Sequence, residues 1–263
     1  MEEYFRSTRP FWKDIYEQNG IDGTLYRLRR DRVNAIVDSL GLPTGSQALE
    51  IGCGMGLISV GLARRGYHVN AVDIEMGMIE SVRRLATEAK VSNRLIGQVG
   101  DVHHLDFRDN TFDMVIAIGV LEWVPSLAQP LSEMTRVLKP GGHLIVNVDN
   151  AWALHCLLDP LKSGVSAPAK RLARRMLEKM GAIRVAAHPG RCSIRRLDAA
   201  IAAAGLRKIH GTTCGFGPFS FLSRTVLPDR LGVRVHNFLQ RRADRGIPVL
   251  RSAGEVYLVL ARK

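Results

Sequence analysis

Residues 49–56 read Leu49-Glu50-Ile51-Gly52-Cys53-Gly54-Met55-Gly56. A short apolar run, Ala48 to Ile51, enters a turn with glycine at alternate positions, and a helical segment, Leu57 to Arg65, follows. Glycines in such a turn take up backbone conformations barred to other residues and let the main chain approach a ligand closely. A helix starting directly behind the turn adds free amide donors and the positive end of its dipole, which suits a carboxylate as well as a phosphate. The spacing departs from the dinucleotide pattern Gly-x-Gly-x-x-Gly/Ala, because the third glycine falls one residue early and Leu57 takes its place. Glu50 precedes the turn; a carboxylate there repels a pyrophosphate and attracts a cationic ligand.

The alternation of strand and helix continues on the C-terminal side. His68 to Val72 reads as a strand ending at Asp73, Met76 to Lys90 as a helix, and Leu95 to Val99 as a strand ending at Asp101. Phe112 to Ile118 is an apolar strand, Leu127 to Leu138 a helix stopped by Pro140-Gly141-Gly142, and Leu144 to Val148 another strand. Apolar strands alternating with amphipathic helices predict an α/β fold, a doubly wound, mostly parallel sheet with helices on both faces. Ligands bind such sheets at the carboxyl ends of the strands. Asp73, 17 residues after Gly56, fits acceptance from two ribose hydroxyls, and Asp101 acceptance from an adenine amino group; each alone reads equally as a surface residue or helix cap, and their succession at strand ends favours a ligand.

These segments together resemble the class I S-adenosylmethionine (SAM) dependent methyltransferases. ALEIGCGMG is similar to their first motif, AVDIEMGMIE to the second, GDVHHLDF to the third, FDMVIAIGVLEWVP to the fourth and LKPGGHLIV to the fifth, over roughly residues 45 to 149. The resemblance implies a Rossmann-like seven-stranded sheet whose last strand, Val256 to Ala261, is antiparallel. It implies that SAM is bound, and S-adenosylhomocysteine released, by Glu50, Gly52, Cys53, Gly54, Gly56, Asp73, Ile74, Met78, Asp101, Val102, Ile118 and Gly119. In that arrangement the glycines flank the methionine part, Glu50 lies near the sulfonium end, Asp73 holds the ribose and Ile74 packs on the adenine. Asp101 and Val102 meet the base, and Ile118 and Gly119 pass beneath the cofactor. Many relatives carry His where this chain has Trp123, so an acid–base or metal role of that His is absent.

Methyl transfer is an in-line displacement in which the protein mainly positions and desolvates the nucleophile, and some acceptors also need a proton removed. Glu122, His155 and His188 are the candidates for that step. Each has a plain alternative: a carboxylate favoured by a helix start for Glu122, and an ordinary surface or core histidine for the other two. Trp123 is a candidate wall of the acceptor pocket or a core residue. No Asn/Asp-Pro-Pro-Tyr/Phe segment follows the fourth strand, and no cysteine follows the fourth or fifth, which argues against amino-methylation of nucleic acid bases and covalent cytosine C5 chemistry. No cluster of metal-ligand spacing is present in the sequence.

The rest of the chain frames this core. Residues 1–40 are expected to form an N-terminal helical lid; Arg27 to Leu40 has helical periodicity, and Tyr4, Phe5, Phe11, Trp12 and Tyr16 are dense around it. A SAM-binding core over 41–149 precedes a cap insertion at 150–193, with a basic helical segment at Ala169 to Met180. The remaining core, 194–263, has a helix capped by Ser193, a strand over Leu206 to Thr213 and a second insertion at 215–254. Net charge is +12, but residues 1–149 hold 16 Lys and Arg against 19 Asp and Glu, whereas residues 150–263 hold 21 against 6. The basic half suits an anionic partner: a phosphorylated or carboxylated substrate, an anionic membrane surface or nucleic acid. The four cysteines, widely spaced, read as free thiols; the chain lacks a signal core and an apolar run of membrane-spanning length, so a cytoplasmic location is expected. The leading expectation is methylation of an oxygen or nitrogen in a small-molecule, natural-product or lipid- or glycan-linked acceptor, with possible peripheral membrane contact. An RNA methyltransferase docking through the basic half and a non-catalytic SAM-fold binding protein are the alternatives.

Overall fold

The computed structural model describes residues 15–159, 190–222 and 224–263. Tyr4, Phe5, Phe11 and Trp12, the segment 169–180 and His188 lie outside them. The described chain runs α1 (Ile21–Leu40), β1 (Gln47–Ile51), α2 (Leu57–Arg64), β2 (His68–Asp73), α3 (Met76–Glu88), β3 (Leu95–Val99), β4 (Phe112–Ala117), α4 (Ala128–Val137) and β5 (Leu138–Asp149). A short α5 (Leu154–Leu158) follows, then α6 (Ile194–Ala203), β6 (Arg207–Cys214), the hairpin β7 (Ser220–Phe221) and β8 (Arg224–Thr225), α7 (Asp229–Asp244) and β9 (Val256–Arg262).

Seven strands form one sheet in the order β3-β2-β1-β4-β5-β9-β6. The first five are mutually parallel, and β9 runs antiparallel between β5 and β6. This is the doubly wound, mostly parallel architecture that the sequence predicts. The alternation of side chains along a strand distributes the core onto two faces. Phe112, Val115 and Ala117 of β4 pack with Leu131, Met134 and Val137 of α4 and Leu197 and Ile201 of α6. Met114 and Ile116 of the same strand point the other way, against Val33 and Val37 of α1, the apolar side of α2, and Ile79 and Val82 of α3. Each face is thus closed by helices, as a parallel sheet requires.

Two boundaries differ from expectation. Helix α1 begins at Ile21, a turn and a half before the periodic stretch, and closes on Gly41 in the left-handed region. The Pro140-Gly141-Gly142 segment does not separate helix from strand, because β5 already starts at Leu138 and runs through it. The register jumps from Phe112↔Leu138 to Met114↔His143, so the extra β5 residues bulge out of the ladder. Ser193 caps α6 as the sequence suggests, its hydroxyl accepting from the Arg196 amide at 3.3 Å. Between β6 and β9, Phe216 and Phe219 form a small satellite core with Ala243 and Ala253.

Candidate active site

The carboxyl ends of the parallel strands open onto a cavity of about 410 Å3. Its floor is the glycine turn between β1 and α2. Gly52, Gly54 and Gly56 have φ of 66°, 51° and 84°, a left-handed region that favours glycine. The turn closes on itself through the Gly56 amide to the Cys53 carbonyl, 2.9 Å, and docks on β2 through the Cys53 amide to the Val72 carbonyl, 3.1 Å. An added Cβ at Gly52 would stand 2.3 Å from Val120 Cγ2, whereas at Gly54 it would meet nothing within 4 Å. Gly54 therefore borders open space, a cradle into which a ligand can settle directly on main chain.

Asp73 serves two neighbours. Its Oδ2 accepts from the Gly54 amide at 2.9 Å and its Oδ1 from the Glu75 amide at 3.0 Å. Burial still raises its pKa, against those hydrogen bonds. Asp101 stays half-exposed; burial raises its pKa, but hydrogen bonds from the His103 amide and ring outweigh this and hold the carboxyl low. Glu50 is buried and shares a hydrogen bond with the Ser59 hydroxyl of α2; burial pushes its pKa up to about 8. On the next strand, the Gly119 amide donates to Asn147 Oδ1 at 2.7 Å, which fixes the main chain after β4 against β5.

Of the predicted cofactor residues, Glu50, Gly52, Cys53, Gly54, Asp73, Ile74, Met78, Asp101, Val102, Ile118 and Gly119 all line this one cavity. Gly56 does not; it starts α2 and passes close to Val82, where a Cβ would meet Cγ2 at 2.8 Å. Among the expected proton acceptors, Glu122 lines the cavity, as does Trp123. His155 is buried in α5 beside the Cys156 sulfur, 3.1 Å away, and is not among the lining residues.

The cavity continues past the glycine turn, over β5 and β9, and there the sequence reading was incomplete. Tyr16, Asp22, Leu25, Tyr26 and Arg29 roof it from α1 and the residues before it, and Asp149 and Glu255 stand at its far end. Asp149 ends β5 just as Asp73 ends β2, a signal that was available. Glu255 reaches the same rim because β9 is antiparallel and begins there; Asp149 pairs with Val256, and the Asn150 amide donates to the Glu255 carbonyl at 2.7 Å. Arg29 carries no local signal, being one of several arginines on α1. Its guanidinium sits 5.0 Å over the Tyr26 ring, and its Nε is buried without a hydrogen-bond partner. Glu122 Oε2 is likewise buried and unpartnered. Burial lifts Glu122 to about 8, with Asp149 adding to the effect and Arg29 opposing it. Burial lifts Glu255 to about 7, again with Asp149 adding and Arg29 and Arg191 opposing.

A glycine cradle beside a buried carboxylate, with two further acids at the next strand ends, lies at the strand rim of an α/β sheet ordered β3-β2-β1-β4-β5-β9-β6. Such a fold and site define the class I SAM-dependent methyltransferases. Residues 49–146 match the family described as "Methyltransferase domain", and this chain carries that domain. It is 33% identical over 121 residues to a ubiquinone biosynthesis O-methyltransferase of Alkalilimnicola ehrlichii, covering 45% of this chain and 48% of that one. It is 30% identical over 146 residues to the sterol 4-C-methyltransferase strm-1 of Caenorhabditis elegans, covering 56% and 42%. The chain thus spans about half the length of the curated relatives it matches. The fold is similar to geranyl diphosphate C-methyltransferase of Streptomyces coelicolor, solved with Mg2+, geranyl diphosphate and S-adenosyl-L-homocysteine, with a TM-score of 0.59 and 17% identity over 96% of this chain and 83% of that one. Among the described residues no group of side chains is arranged to hold a metal, and no helix is long and apolar enough to cross a membrane.

Proposed function

We propose that this protein binds SAM over β3, β2, β1 and β4 and methylates an oxygen or nitrogen of a small-molecule, natural-product or lipid- or glycan-linked acceptor held over β5 and β9. The observation that carries this reading is the continuity of one cavity from Asp101 to Glu255. These residues mark β3 and β9, five strand spacings apart, about 24 Å. The residues present fit the cofactor: the Gly54 cradle lies open, Asp73 is anchored with lone pairs left for ribose hydroxyls, and Arg29 offers an unmet buried donor to the methionine carboxylate.

Bound SAM supplies a methyl carbon on a positively charged sulfur. The chain's own work is positioning and proton handling. Ile118 and Gly119 form a fixed floor because Asn147 holds the Gly119 amide. Tyr16, Tyr26 and Trp123 exclude water from the space above. Glu122, with its raised pKa and free Oε2, is the group this reading keeps as proton acceptor. Calorimetric titration with SAM tests the donor half, and tritiated-methyl transfer into small-molecule, lipid, RNA and protein fractions tests the acceptor half. Label found only in RNA would move the assignment to RNA methylation; a protein that binds no SAM would remove the catalytic reading.

A second observation bears on location. The outward face of α7 carries Arg230, Arg234, Arg241 and Arg242 together with exposed Leu231 and Phe238, and the β7–β8 hairpin exposes Phe221 and Leu222 nearby in sequence. Cationic side chains interleaved with exposed apolar ones suit an anionic bilayer surface. Sedimentation with phosphatidylglycerol vesicles and not with phosphatidylcholine vesicles is the expected result. A salt-sensitive RNA shift without vesicle binding is the outcome that would replace it.

A further inference from the structure

The half of the cavity over β5 and β9 has a charge opposite to the outside of the same region. Seven acids line the cavity, namely Asp22, Glu50, Asp73, Asp101, Glu122, Asp149 and Glu255, and Arg29 is the single Lys or Arg among the described lining residues. Glu50, Asp73 and Asp101 belong to the donor end. Glu122, Asp149 and Glu255 stand at the other, in the loop after β4, at the end of β5 and just before β9, three neighbouring strands. A Cβ position at Gly119 lies 3.8 Å from both Arg29 Nη1 and Glu122 Oε1, so both groups border the space above that glycine. Once Arg29 answers the methionine carboxylate, as the proposed function has it, Glu122 and Asp149 lose that counter-charge and Glu255 keeps only the weaker influence of Arg191. Like charges gathered at one end of a cavity favour a cation between them. Aromatic rings line the same cavity: Tyr16 and Tyr26, packed edge to face at 5.9 Å, and Trp123. Carboxylates framed by aromatic rings are the setting in which proteins hold ammonium groups.

We infer that the methyl acceptor is an amine, whose protonated nitrogen is received by Glu122, Asp149 and Glu255 beneath the rings of Tyr16, Tyr26 and Trp123. The inference deepens the proposed function and rests on it. The nitrogen first passes its proton to a carboxylate of the cluster. Its freed lone pair then forms the N–C bond while the C–S bond breaks, the electron pair staying on sulfur. The exposed arginines of α7 play no part in this recognition, and an anionic acceptor, which the net charge of residues 150–263 alone suggests, meets a cavity of the wrong sign.

Two measurements on the full chain test this. With S-adenosylhomocysteine saturating, 2-phenylethylamine, benzylamine and their N-methyl forms are titrated calorimetrically against 2-phenylethanol and 3-phenylpropionate. At least one amine is expected to bind ten-fold or more tightly than the alcohol and the acid, and Asp149→Asn and Glu255→Gln to lose that preference while keeping S-adenosylhomocysteine affinity within two-fold. Separately, the product labelled from tritiated-methyl SAM in a small-molecule extract is expected to be retained on a cation exchanger at pH 7. Binding of no amine, equal binding of the alcohol or acid, or a labelled product in the flow-through would overturn the inference. A ten-fold loss of S-adenosylhomocysteine affinity in Asp149→Asn would overturn it too, by assigning the cluster to the donor. A native protein that binds no S-adenosylhomocysteine would instead overturn the proposed function beneath it.

Discussion

The Gly54 amide donates to Asp73 Oδ2 at 2.9 Å, so the glycine turn and the acid at the end of the next strand are one unit. Asp73 therefore shapes the cradle as well as facing it. Asp73→Ala is expected to weaken SAM binding about 100-fold and to cost about 1–2 kcal/mol of stability through the orphaned Gly54 and Glu75 amides. Asp73→Asn, which keeps one acceptor oxygen, should lose less of both. Calorimetry and thermal melts check the pair; unchanged SAM affinity in Asp73→Ala would remove the ribose assignment.

Gly52 and Gly54 should respond differently to alanine although both have positive φ. At Gly52 the new methyl collides with Val120, so the fold itself suffers, by about 2 kcal/mol or more. At Gly54 no protein atom is near. The stability cost there is about 1 kcal/mol, from backbone strain, and the main loss is SAM affinity. A melt and a titration on each variant separate the two effects.

Arg29→Met removes the guanidinium shared by the methionine carboxylate and the far acids. SAM affinity is expected to fall about ten- to 100-fold, and the ligand-free protein should lose stability at pH 8 more than at pH 5, because the remaining carboxylates ionise without a partner. Equal losses at the two pH values would show that Arg29 does not answer these acids.

Stability of the ligand-free protein should decline as pH rises from about 4.5 to about 8. Glu50, Glu122 and Glu255 have folded pKa values of about 8, 8 and 7, above the 4.5 of a free glutamate, so within that window the native state holds more protons than the unfolded state. The derivative of unfolding free energy with pH is then negative. Glu133 acts in the opposite sense, since Arg136 holds it at about 2, but its contribution is lost only below pH 4.5; His143 and His236, whose pKa burial lowers, oppose the trend inside the window but are outnumbered by the three glutamates. Melting temperature measured across pH 5 to 8 should fall, and Glu50→Gln should flatten the slope.

Ser193→Ala should cost about 1 kcal/mol by removing the acceptor for the Arg196 amide, with no effect on SAM affinity, since α6 lies away from the cavity lining.

Local patterns made the donor half readable. Each of its determinants sits where a strand stops, and strand ends are marked by the change from apolar runs to Gly or Asp at 51–52, 73 and 101. The acceptor half depends on contacts between distant segments. Nothing near Arg29 distinguishes it from Arg27 or Arg30; only the packing of α1 across the sheet turns it inward. Glu255 becomes a wall residue because the strand behind it runs antiparallel, a fact that came from family resemblance and not from periodicity. The β5 bulge escaped for a related reason: Pro140-Gly141-Gly142 has turn composition, yet the neighbouring strand accommodates it as an irregular ladder. The position of His155 in the first insertion suggests a place beside the acceptor, but its burial beside Cys156 takes it out of the cavity lining.

The insertion of β9 between β5 and β6 bears on how the protein acquires its shape. Strands β1 to β4 and their helices pair in an order set by nearby sequence, between residues 47 and 117, and β5 joins β4, whereas the other edge of β5 must wait for β9, more than 100 residues further along the chain. High sequence separation slows such pairings. The turn that cradles the donor can therefore consolidate while the floor of the opposite compartment is still an unpaired edge, and substitutions in β9 should retard refolding through a late step that leaves early collapse untouched.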